Sequence, residues 1–75
     1  MTIQISEPQN YYQRSEIRKI VKRECYRKGT DPYIFCEVMD YEEPRLKIIA
    51  LNQIPGVKAK VFREYDSLPE AQTRP

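Results

Sequence analysis

Leu46-Lys47-Ile48-Ile49-Ala50-Leu51 sits between an acidic, proline-bounded segment and a Pro-Gly turn, and its periodicity admits two folds. As a strand, it pairs with the apolar run at 33–39 as a hairpin across Asp40-Tyr41-Glu42-Glu43-Pro44. As a helix, it starts from a capping box at Asp40 and Glu43, puts Leu46, Ile49 and Ala50 on one face, and carries Pro44 near the end of its first turn. The adjacent isoleucines and the short length favour the strand.

The flanking segments extend that reading. Tyr33-Ile34-Phe35-Cys36-Glu37-Val38-Met39 is dense in β-branched and aromatic residues and reads as a largely buried strand. Asn52-Gln53-Ile54-Pro55-Gly56 is a turn signal, since Pro-Gly suits a type II geometry. Beyond it, Val57, Ala59 and Val61 alternate with Lys58 and Lys60, which predicts a half-buried antiparallel strand with its lysines toward solvent.

Toward the N-terminus, Ser6 followed by Gln9 makes a capping-box pattern, with Pro8 in the first turn. Ile17, Ile20, Val21 and Cys25 recur at helical spacing, and Gly29 suits the left-handed residue that ends many helices. The spacing predicts a helix over about residues 7–28. Ile3 and Ile5 add a short N-terminal edge strand. The expected fold is therefore α+β: one N-terminal amphipathic helix packed on a small antiparallel β-meander of about three strands. Residues 1–66 form the domain, and 67–75 are read as a flexible C-terminal tail.

Seventy-five residues allow a single small core, so a homodimer is an ordinary way to gain stability. The net charge of +2 conceals a block pattern. Residues 14–28 hold seven basic and two acidic side chains, whereas 29–44 hold five acidic side chains and no Lys or Arg. Blocks of opposite sign either complement each other inside the fold or present a dipolar surface to a partner.

Catalytic chemistry is poorly supplied. With no His, the chain lacks the side chain that most often serves as a base at neutral pH. Two cysteines and no His cannot assemble a structural zinc site within one chain. Cys25 and Cys36 are expected as core thiols, able to approach each other where the helix packs on the first strand. Neither cofactor nor metal is expected. No segment looks like a secretory signal or a membrane span, so a cytoplasmic protein with no membrane contact is expected.

A small regulatory module that binds a protein partner is the expected function. The candidate contacts are a basic helix surface (Arg14, Arg18, Lys19, Lys22, Arg23 and Tyr26) and an acidic turn (Asp40, Glu42 and Glu43). Tyr and Arg are frequent interface anchors, and opposite charge blocks favour electrostatic steering. The alternative is nucleic-acid binding, in which the same helix contacts phosphates and its tyrosines stack on unpaired bases.

Overall fold

The computed structural model describes residues 1–63. The expected tail at 67–75 lies outside them. Six main elements follow one another: β1 (Thr2–Ser6), α1 (Tyr11–Val21), β2 (Tyr26–Arg27), β3 (Tyr33–Glu37), α2 (Pro44–Asn52) and β4 (Ala59–Phe62), with a single 3-10 turn at Asp40–Glu42. All four strands pair antiparallel in the order β2-β3-β1-β4. That element order and strand order make a split β-α-β arrangement, in which β3 lies between β1 and β2. The α+β class holds, but the expected meander is replaced by a four-stranded sheet with two helices.

Residues 46–51 belong to a helix, contrary to the expected strand. Pro44 is the first helical residue, where its missing N–H costs nothing, and Glu43 precedes it in the left-handed region at φ 55°. The helix also gives the end of the segment a specific task. Asn52 donates its amide to Ala59 O (3.0 Å) and accepts from Ala59 N–H (2.7 Å), so a side chain satisfies part of the free edge of β4. Leu51 is fully buried and Ile48 packs against the core, while Leu46 and Ile49 face outward.

β1 is central, not an edge strand. Ile3 pairs with Cys36 and Val61, and Ile5 with Ile34 and Ala59, so both isoleucines have neighbours on two sides and no solvent exposure. This face meets Ile17 and Val21 of α1 and Leu51 of α2, with Val38, Ile54 and Val57 closing the core. The helices run past each other in opposite directions. Lys47 of α2 reaches Ile20 O near the end of α1, whereas Gln13 near its start donates to Pro55 O just after α2.

α1 is shorter than the expected 7–28 at both ends. Its N-cap is Asn10, whose Oδ1 accepts from Gln13 N–H at 2.8 Å, and Gln13 Oε1 in turn accepts from Gln9 N–H. The N-cap thus lies four residues after the expected one at Ser6, because Ser6 is held in β1: its Oγ accepts from Lys58 N–H. Gln13 is 7% exposed and its amide sits where a side chain on Gly56 (φ 83°) would have to go, 2.7 Å away. The far end stops at Lys22, in the left-handed region at φ 60°, with its N–H on Arg18 O. Gly29 is left-handed as expected (φ 58°), but it turns the chain from β2 to β3 instead of ending a helix.

No helix among the described residues is long and apolar enough to cross a membrane.

Candidate functional site

The basic stretch after residue 14 is largely answered by acids of the same chain. Arg18 pairs with Glu24, Lys19 with Glu16 (3.0 Å), Arg27 with Glu7, and Arg23 with Glu42. The Arg23–Glu42 pair joins the basic stretch directly to the acidic turn. Arg23 also donates to Val21 O (3.1 Å) and Glu37 O (2.7 Å), so one guanidinium fastens the end of α1, the end of β3 and the 3-10 turn. These bonds offset the left-handed backbone at Lys22, which costs a non-glycine residue about 1–2 kcal/mol. Glu42 accepts from Met39 N–H at 2.8 Å. That bond, together with Arg23 beside it, holds its carboxyl below the usual range despite some desolvation.

The remaining sequence-derived candidates scatter. Arg14, Lys22, Asp40 and Glu43 are exposed, and none has an ion-pair partner among the described residues. Asp40 and Glu43 serve the backbone: Asp40 O accepts from Glu43 N–H, and Glu43 O accepts from the N–H groups of Leu46 and Lys47. Arg14, Arg18 and Arg23 come together with Arg27 around a cleft of about 170 Å³, with Glu7, Glu24 and the half-buried Cys25 in the same wall. Tyr26 leaves this group altogether. It sits in β2, opposite Phe35, on the other face of the sheet.

That other face is a surface the sequence reading did not single out. Alternation along the strands puts Thr2, Gln4 and Ser6 of β1, Tyr33, Phe35 and Glu37 of β3, and Lys60 and Phe62 of β4 on the side away from the helices. Lys58, paired with Ser6 beyond the end of β4, continues the row. No described helix covers this face, yet Phe35 is only 1% exposed. Among the described residues, Phe62 meets it edge-on at 5.0 Å, Tyr26 lies at 6.0 Å, and the Lys28 ammonium stands 5.1 Å from the Phe35 ring and 4.6 Å from the Phe62 ring.

The charge on this face is also distinct. Lys28, Lys58 and Lys60 have no acidic partner among the described residues. The one carboxylate in the register, Glu37, accepts from the hydroxyls of Thr2 and Tyr26. Desolvation, reinforced by Glu37, raises the Tyr26 phenol above its ordinary value, so it stays a protonated donor. A shallow cleft of about 190 Å³ between Tyr33, Gln4, Lys58 and Lys60 continues the surface away from the aromatic cluster. The surface therefore combines half-exposed rings, a central amide and three cations with no acidic partner among the described residues. The sequence signal for it was the alternation of Lys58, Lys60 and Phe62 together with that of Tyr33, Phe35 and Glu37. It becomes readable only when β1 is known to lie between those two strands.

Among the described residues, no cluster of three metal-ligating side chains comes together. No family model, curated protein or solved structure matches the chain.

Proposed function

We propose that this protein is a non-catalytic binding module that lays a single-stranded nucleic acid across the open face of its sheet. The reading rests on one juxtaposition: Tyr26, Phe62 and Tyr33 around Phe35 and Gln4, with Lys28, Lys58 and Lys60, which have no acidic partner among the described residues, on the same face. Bases stack on aromatic rings whatever their identity, and cations beside the rings meet the backbone phosphates. Lys28 has two roles here. Without ligand, its ammonium covers Phe35 and Phe62; when a base takes that place, the flexible side chain swings aside to a phosphate. This keeps the nucleic-acid alternative drawn from the sequence but moves its contact surface from the basic helix to the sheet.

Fluorescence anisotropy with a labelled single-stranded oligonucleotide at low salt tests the proposal. Three phosphate contacts predict a plot of log affinity against log salt with a slope of about −2, from about 0.7 per contact on a single strand. Absence of binding by the unaltered protein at low salt refutes it.

A protein partner remains a second reading, favoured by α2. Leu46 and Ile49 are 57% and 55% exposed and lie one turn apart, and Tyr41 just before them is 81% exposed. An exposed apolar pair beside an exposed tyrosine suits a protein contact. Replacing both Leu46 and Ile49 by Ser should then release a partner recovered from nuclease-treated extract.

A further inference from the structure

We propose that Cys25 and Cys36 form an oxidation site, two thiols that close into an intrachain disulfide when the protein meets a peroxide or a small-molecule disulfide. The inference is independent of the nucleic-acid reading. It begins with register. Tyr26 pairs with Phe35 and Arg27 with Ile34; Cys25 immediately precedes β2, and continuing its register by one residue sets Cys25 opposite Cys36. Residues directly opposite in an antiparallel pair have Cα atoms about 4.5–5.5 Å apart, within the range that a disulfide spans. Cys25 packs against the buried cluster that contains Cys36, and each thiol lies close enough to act on the other's ionisation.

Access is unequal, which gives each sulfur its part. Cys36 has no exposed surface, whereas Cys25 is half-buried and opens on the cleft lined by Arg14, Arg18, Arg23 and Arg27. An oxidant therefore meets Cys25 first. With hydrogen peroxide, Cys25 loses its proton and its sulfur attacks one peroxide oxygen. The O–O bond breaks, and the departing hydroxide takes up a proton and leaves as water, so Cys25 becomes a sulfenic acid. The Cys36 sulfur then attacks Cys25, the S–S bond forms, the S–O bond breaks, and a second water carries away the Cys36 proton. Two electrons pass from the pair of sulfurs to the peroxide. A small disulfide such as oxidised glutathione reaches the same product through a mixed disulfide on Cys25 and releases two reduced thiols.

Burial pushes the Cys25 thiol up to about 12, with the adjacent Cys36 adding to it, and burial also raises Cys36. Both are protonated at neutral pH. The pair is accordingly a slow site that answers sustained oxidant and reacts faster as the solution is made alkaline.

The test incubates the whole protein with oxidised glutathione, quenches with an alkylating agent under denaturing conditions, and maps the peptides by mass spectrometry. The expected result is loss of both thiols together, a Cys25–Cys36 linked peptide, monomeric protein, and recovery of both thiols with reductant. In Cys36→Ser, which keeps the size of the side chain, glutathione should remain on Cys25. If that variant fails to fold, the linked peptide in the unaltered protein decides alone. A stable glutathione adduct on Cys25 with Cys36 free, an interchain dimer, or two untouched thiols would each overturn the proposal.

Discussion

The two faces of this small sheet treat most of their charge differently. On the helix side, Arg18, Lys19, Arg23 and Arg27 each find a carboxylate of the same chain. On the open side, Lys28, Lys58 and Lys60 find none among the described residues and stand instead beside aromatic rings or a shallow cleft. The denser cluster of cations in the sequence is thus the one most occupied with holding the fold. Charge density along a chain does not rank surfaces for binding: among the described residues Arg14 and Lys22 are also left over on the helix side, and what distinguishes the open face is the aromatic rings beside its cations. Exposed ion pairs contribute little stability each, but Arg23 differs because it adds two backbone carbonyls to its carboxylate.

The largest blow to the open face is Phe35→Ala. Phe35 is 1% exposed and supports both Tyr26 and Phe62, so its loss should cost about 3–5 kcal/mol in urea unfolding, much of the stability of so small a domain. On the helix side, the matching probe is Arg23→Ala. It should cost about 1–3 kcal/mol, because it removes charge-assisted bonds to Val21 O, Glu37 O and Glu42 at once. Its oligonucleotide affinity, measured at a temperature where the variant is folded, should not change. Phe62→Ala reverses the pattern. Phe62 is only partly buried, and its removal should weaken oligonucleotide binding by about 1–3 kcal/mol, the usual contribution of one stacked base. Calorimetric titration reads this directly.

The smallest effect concerns pH. The carboxyl of Glu42 is held below its ordinary value of 4.5 by the Met39 N–H and by Arg23, so the folded state binds this proton less readily than the unfolded one. Its contribution is complete above the unfolded value and fades as pH falls through the folded one. Thermal midpoints of the unaltered protein should decline on acidification below about 4.5, and Glu42→Gln should flatten that decline without moving oligonucleotide affinity.

What was legible in the sequence follows the reach of each interaction. The alternation at Val57, Ala59 and Val61 and the apolar run at 33–39 are local patterns, and each holds a strand, at Ala59–Phe62 and Tyr33–Glu37, with Val57, Val38 and Met39 falling outside them. The stripe at Ile17 and Val21 is likewise local, and it is the buried face of α1. The ends of α1 were not legible because they depend on distant partners: Ser6 is taken by Lys58, and the turn at Lys22 is fastened by Arg23 to Glu37 and Glu42. The helix at 44–52 was misread because its isoleucines favour strands intrinsically, while Pro44 at its first position and the Asn52–Ala59 bonds at its end favour a helix. For the candidate site, Tyr26 was named but placed on the wrong element, and Lys28, Phe35, Lys60 and Phe62 were seen only as parts of elements. Their convergence comes from β1 pairing with both β3 and β4, a contact of long sequence separation.

The central claim is that the ligand surface is the open sheet face and not the helix side. Titration of isotope-labelled protein with a short single-stranded oligonucleotide, followed by amide and side-chain chemical shifts, tests it most directly. The account predicts concentrated changes at Gln4, Tyr26, Lys28, Tyr33, Lys60 and Phe62. It also predicts that reversing Lys58 and Lys60 to Glu abolishes those changes, while reversing Arg14 and Lys22 leaves them. Changes concentrated on α1 and the Asp40–Glu42 turn, or none at low salt, would contradict it.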